Sequence, residues 1–202
     1  MRLPCLDDRW GGSHHGPALP VPEPVPTQSP TVIDVCPEHC AATMGGLLIL
    51  IIKEDPRPSI FEQQRRWIRK LKEVSPDGSA FLAVLQSDTP PPTEEARLII
   101  KRVFREFGQV MKAGAMVIEG DGFVAATFRS VLSMLVLALR PAYPLKVYRS
   151  VAEASVWVLP HIGKSGRVSG LDVVAAVEQL KAGYREGTLR VDPASVSKPP
   201  PA

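Results

Sequence analysis

Cysteine is scarce. The 202 residues hold three, an odd number and too few for a disulfide-stapled secreted scaffold. Net charge is low, +3 at pH 7, too weak by itself to indicate a nucleic-acid partner. Internal repeats are missing, which excludes collagen and coiled coil. No basic segment followed by an apolar core marks a secretory signal. Long hydrophobic runs are also lacking. The most apolar window, Phe123–Leu139, spans 17 residues and carries Arg129 inside it. As a helix it would reach about 26 Å, marginal for a bilayer, and a mid-span arginine is costly there. The window therefore reads as a helix packed between a sheet and its neighbours. No other window is a membrane candidate, and the expectation is a cytoplasmic protein without a membrane span.

Nor does the chain show a phosphate-binding loop, a Rossmann fingerprint or a nucleophile–base pair. Cys36-Pro37-Glu38-His39-Cys40 has the look of a metal fragment. A closed zinc site needs four ligands, and only Cys5, His14 and His15 are near, beyond a proline run. No metal and no cofactor is expected.

Proline is abundant, with 21 residues unevenly spread. Six of them fall between Pro17 and Pro30, where fixed φ and missing N–H donors oppose both helix and ladder. Residues 1–44 read as a Pro-rich disordered leader, and Met44, directly before the first aliphatic run, is a candidate true start. Residues 1–43 carry a net −3 and the remainder +6, so the part expected to fold is the basic part.

From Gly45 onward aliphatic runs alternate with helical spacing. Leu47–Ile52, Ala80–Leu85, Gly114–Ile118 and Leu145–Tyr148 read as strands. Between them lie a helix begun by a Ser59/Glu62 capping box, a second begun at Thr93, and a third over Gly122–Leu139. A short helix at Val151–Leu159 and an amphipathic one at Leu171–Tyr184 follow. The last, with its Val174, Val177, Leu180 and Tyr184 stripe, is expected to cap the sheet edge or mediate self-association, which leaves a homodimer open. Alternation of this kind predicts an α/β fold with a mostly parallel sheet of four or five strands and flanking helices.

The stretch Ala115–Trp157, AMVIEGDGFVAATFRSVLSMLVLALRPAYPLKVYRSVAEASVW, resembles the STAS-like fold, in particular bacterial anti-sigma-factor antagonists. The marks are a strand, an acidic glycine turn, a long apolar helix, and a strand-end aromatic followed by Val151-Ala152-Glu153-Ala154-Ser155-Val156-Trp157. The likeness covers residues 45–163, with residues 164–191 a helical extension and residues 192–202 a disordered tail. It implies a non-catalytic regulatory module that docks a protein, such as an anti-sigma or kinase-type regulator. Family members carry a phosphorylatable serine in the loop leading into the third helix. Here the matching loop, Glu119-Gly120-Asp121-Gly122-Phe123, has no hydroxyl, and Asp121 would hold a fixed charge in place of a switchable one.

Glu119, Gly120, Asp121, Gly122, Phe123 and Arg129 are the candidate partner-binding residues, with the neighbouring loop Ser87–Thr93 beside them. A guanidinium seven residues into an apolar helix needs a partner, and Glu119 or Asp121 is the natural one. Arg65, Arg66, Arg69, Lys70 and Lys72 on the first helix and Lys101, Arg102 and Arg105 on the second would merge into one basic patch if those helices pack side by side. Trp67 is the one aromatic that would strengthen a nucleic-acid reading, and no nucleic acid is expected. Two alternatives stand beside docking. One is a small-ligand or lipid-binding module, which requires an apolar cavity above about 300 Å³. The other is an enzyme using Glu119 and Asp121, which requires one of them desolvated in a cleft.

Overall fold

The computed structural model describes residues 28–86, 92–162 and 168–193. Six strands form one sheet in simple chain order: β1 (Thr31–Val35), β2 (His39–Met44), β3 (Leu47–Ile52), β4 (Ser79–Leu85), β5 (Met111–Ile118) and β6 (Leu145–Tyr148). The first three pair antiparallel, and β3 through β6 pair parallel. The fold is thus α/β with a mostly parallel sheet, as expected, but with six strands. The extra two lie inside the stretch read as a leader. Thr31–Val35 and His39–Met44 form a hairpin whose second strand is buried throughout. Cys40, Ala41 and Ala42 have no exposed surface, because β2 lies between β1 and β3 with packed layers above and below. Met44 therefore closes a central strand. Residues 1–27, and the tail from residue 194 on, lie outside the described residues.

Why these segments are strands is plain from their chemistry. Leu47–Ile52 is an unbroken apolar run, and so is Ser79–Leu85 after its first residue, which suits strands covered on both faces. Alternate side chains feed two separate cores. Leu47, Ile49 and Ile51 enter one, and Leu48 and Leu50 the other.

The crossovers α1 (Ile60–Val74), α2 (Glu94–Phe107) and α3 (Phe123–Leu139) all lie on one face, burying Trp67, Leu71, Phe104, Phe107, Leu132 and Val136. The other face is covered by α4 (Val151–Val158), a single 3-10 turn (Leu159–His161) and α5 (Gly170–Glu186), which contribute Val151, Ala154, Val173, Val177 and Leu180. The amphipathic last helix thus lies flat over a sheet face and pairs with α4, instead of capping an edge. Its buried line runs through Val173, Ala176, Val177 and Leu180, while Val174 and Tyr184 are only partly covered.

Among the described residues, four of the five α-helices are preceded by a serine or threonine, and three of these four side chains cap. Thr93, Ser150 and Ser169 each accept a backbone N–H from three residues on, and Ser169 with Asp172 completes a reciprocal box. The expected box at Ser59 does not form. Ser59 is already in helical conformation, so its hydroxyl cannot turn back on the first turn.

Beyond the β2–β3 ladder, further contacts tie the hairpin to the rest. Tyr184 donates its hydroxyl to the carbonyls of Cys36 and Pro37, at 2.7 Å each. The Lys53 N–H donates to Glu38 O, and near the other end of the chain the Asp192 N–H donates to Val32 O. A protein beginning at Met44 is accordingly expected to lose its cooperative thermal transition, followed by circular dichroism. A preserved transition in the Met44 form would show that the hairpin is dispensable to the fold.

Candidate docking surface

The corner Glu119–Phe123 sits at the carboxyl end of the parallel strands, between the end of β5 and the start of α3. Two glycines shape it. Gly120 and Gly122 have φ of 107° and 99°, values that side chains rarely adopt, so the chain reverses tightly into the helix. Arg129 then fixes it, but not through a carboxylate as expected. Its Nη1 donates to the Ile118 carbonyl at 3.0 Å and to the Gly120 carbonyl at 2.9 Å. Helical rise explains the change, since a residue less than two turns into α3 lies back over the end of β5 and reaches strand carbonyls first.

Glu119 points to the other layer. Its carboxylate accepts from Lys181 of α5 at 2.6 Å, and Lys181 also donates to Glu178. Burial pulls the Lys181 ammonium down, and its hydrogen bonds to Glu119 and Glu178 more than offset this, raising it on balance. Asp121 and Gly122 are exposed, and Phe123 is 86% exposed. The corner thus presents a carboxylate and a phenyl ring on a backbone pinned from two sides. Residues 87–91 of the neighbouring loop lie outside the described residues. Thr93, at its end, donates backbone N–H and hydroxyl to Asp55.

The apolar helix α3 differs from its expected burial. Leu132 and Val136 are buried, while Val131, Met134 and Leu137 are 48%, 72% and 77% exposed. Met134 and Leu137 lie on the side of the helix opposite Leu132 and Val136, away from the sheet, where no further layer covers them among the described residues. That face carries no charge. Two of its hydroxyls bond back to their own helix, Ser130 Oγ donating to Ala126 O and Ser133 Oγ to Arg129 O, and Thr127 is exposed beside them.

An apolar cavity of about 120 Å³ lies between the sheet and α1–α3, lined by Trp67, Phe81, Phe104, Phe128 and Leu132, with His39 and Glu38 at one end. It is smaller than the 300 Å³ or so that ligand pockets need. A wider depression of about 340 Å³ at the opposite end of the sheet is open and bordered by Lys72, Asp77 and Lys112. Neither space is lined by Glu119 or Asp121.

The hairpin turn holds an arrangement that residue order alone did not reveal. Cys36 Sγ lies 3.2 Å from His39 Nδ1, and His39 Nε2 lies 4.0 Å from Asp34. Register supplies the reason, because the β1–β2 turn folds residue 36 onto residue 39. Burial pushes the Cys36 thiol up to about 11, helped by the Glu38 carboxylate, so it stays protonated. Burial also holds the His39 imidazole below its ordinary range against the pull of Asp34 and Glu38. A neutral thiol beside a neutral imidazole is a packed pair, not an activated nucleophile. Trp67, offered above as an exposed aromatic, is 3% exposed and stands edge-on to His39 at 5.1 Å. Among the described residues no three His, Cys, Asp or Glu side chains are grouped to hold a metal. No helix among them is long and apolar enough to cross a membrane. Compared with known proteins, the chain matches no family, no curated sequence and no solved structure.

Two outcomes follow from this geometry. Arg129→Met should cost about 1–3 kcal/mol in urea denaturation, since it strips a donor from the buried Ile118 carbonyl. An unchanged midpoint would show that the corner holds itself. His39 is neutral when folded and free to protonate when unfolded. The unfolded chain therefore binds more protons below about pH 6.5, and stability falls as pH drops through that value toward the lower folded one. His39→Gln should flatten that part of the stability–pH curve.

Proposed function

We propose that the protein is a non-catalytic recognition module that docks a partner protein at the corner Gly120–Phe123, in the manner of the anti-sigma-factor antagonists that Ala115–Trp157 resembles. The observation that carries this reading is Phe123, a large apolar ring almost wholly in solvent on a backbone that Arg129 and two glycines hold in place. Rigid aromatic anchors of this kind dominate interface energetics. With Asp121 beside it, the fitting partner offers a cation next to an apolar slot. A kinase-type or anti-sigma regulator in the cytoplasm is the partner class that the resemblance implies. With no hydroxyl in the loop, docking here would be constitutive and not switched by phosphate.

The alternatives find less support. A small-ligand module is disfavoured by the size of the cavity under α1–α3. An enzyme built on Glu119 and Asp121 is disfavoured because Glu119 is engaged by Lys181 and Asp121 stands in solvent. Strand order argues the same way. Small molecules in open parallel sheets settle where the order reverses, and this sheet never reverses.

The test is affinity capture from native lysate with the wild type, Asp121→Lys, Phe123→Ala, and Asp77→Lys at the opposite end as control. The first two variants should lose the same protein, Phe123→Ala weakening it about thirtyfold, the equivalent of about 2 kcal/mol. A captured set that is identical in all four samples would defeat the proposal.

A further inference from the structure

The layer formed by α1, α2 and α3 is unlike its counterpart in charge. Its three helices hold ten lysines and arginines against five acids. The opposite layer, α4 and α5, holds two against four. The cations are outward. Arg65, Arg69, Lys72, Lys101 and Arg105 are all exposed, and none has an ion-pair partner among the described residues. The side-by-side arrangement that would merge the two helices' charges is present. Arg102 of α2 lies 4.2 Å from the ring of Phe61 on α1, and Gln64 of α1 donates to Val103 O of α2 at 2.7 Å.

The third helix of this layer supplies the opposite chemistry. Val131, Met134 and Leu137 stand in solvent along α3 with no charge among them; of the hydroxyls on that face, those of Ser130 and Ser133 go to carbonyls of their own helix, and Thr127 is exposed. Leu98 of α2 adds a fourth exposed apolar side chain, 67% exposed. Exposed apolar surface of this extent marks a contact site. One layer thus presents unpaired cations and an uncharged apolar ridge side by side.

We infer that the outward face of α1–α3 docks on an anionic phospholipid bilayer, α3 entering the headgroup boundary while the cations of α1 and α2 meet lipid phosphates. Charge complementarity selects this occupant. Interfacial helices combine the same two features, an apolar face for the acyl boundary and basic residues for anionic headgroups. A second copy is a poorer fit. A symmetric contact through α3 would bring Lys101 and Arg105 of two α2 helices toward one another. The surface leaves out the acidic corner, whose Phe123 is assigned to the partner and whose Asp121 carries a charge of the sign that anionic lipid repels. The protein would lie on the membrane by one layer and offer its strand ends to a partner.

The experiment is flotation of the full chain with vesicles of phosphatidylcholine alone and with phosphatidylglycerol added, at low and high salt. Binding is expected to the anionic vesicles only and to fade as salt rises. Arg69→Glu with Lys101→Glu should weaken it at least tenfold, and Met134→Glu with Leu137→Glu should abolish it, with circular dichroism unchanged in each. Asp121→Lys should not weaken it, which separates this inference from the partner-docking one. Failure of the wild type to float with anionic vesicles overturns it. So does a concentration-dependent dimer, seen by sedimentation equilibrium, that Met134→Glu dissolves.

Discussion

Each parallel strand is laid down next to the previous one, and the order never doubles back. With crossovers of one hand, that rule places every connecting helix on the same side of the sheet. The opposite side would then be bare aliphatic surface, Leu47, Ile49, Leu82, Val84 and Val117 among it. Two helices added after the last strand cover that side, and the antiparallel hairpin before the first parallel strand widens the surface they share. Most of the architecture follows from this constraint, and the last crossover, α3, is left with an apolar face in solvent.

The placement of the corner depends on the same arrangement. The carboxyl ends of all four parallel strands share an edge, so the turn after β5 emerges beside the loops that follow β3 and β4. Its fixity comes from both sides of the sheet. Arg129 holds it from the first helix layer, and Lys181 reaches across from the second to take Glu119. The two contacts divide the loop. Glu119 is consumed as structure, while Asp121 and Phe123 are left to the solvent.

Where chemistry was local, sequence and structure mostly agree. Aliphatic runs became strands and Thr93 caps α2, while the box read at Ser59 does not form. The misjudged features depend on neighbours far along the chain. His39–Met44, HCAATM, is small and mixed in character, and becomes a central strand only because β3 borders it on one side and β1 on the other. Proline density in the preceding segment hid it further. Phe123–Leu139 is apolar around its whole circumference, so periodicity cannot tell which side is covered. Its exposure comes from a layer that covers the side of Leu132 and Val136 and leaves the opposite side open, which composition does not encode. The Cys36–His39 contact is likewise a product of hairpin register.

The bond from Asp192 to Val32 brings the last described segment back onto the first strand, at the outermost edge of the sheet. Both leads of the domain therefore leave from one flank. Tension applied between them would meet the ladder one rung at a time, opening it like a zipper from β1 inward instead of shearing all rungs together. The same proximity makes the domain easy to splice into a loop of another protein, since it needs no long connectors to bridge the gap.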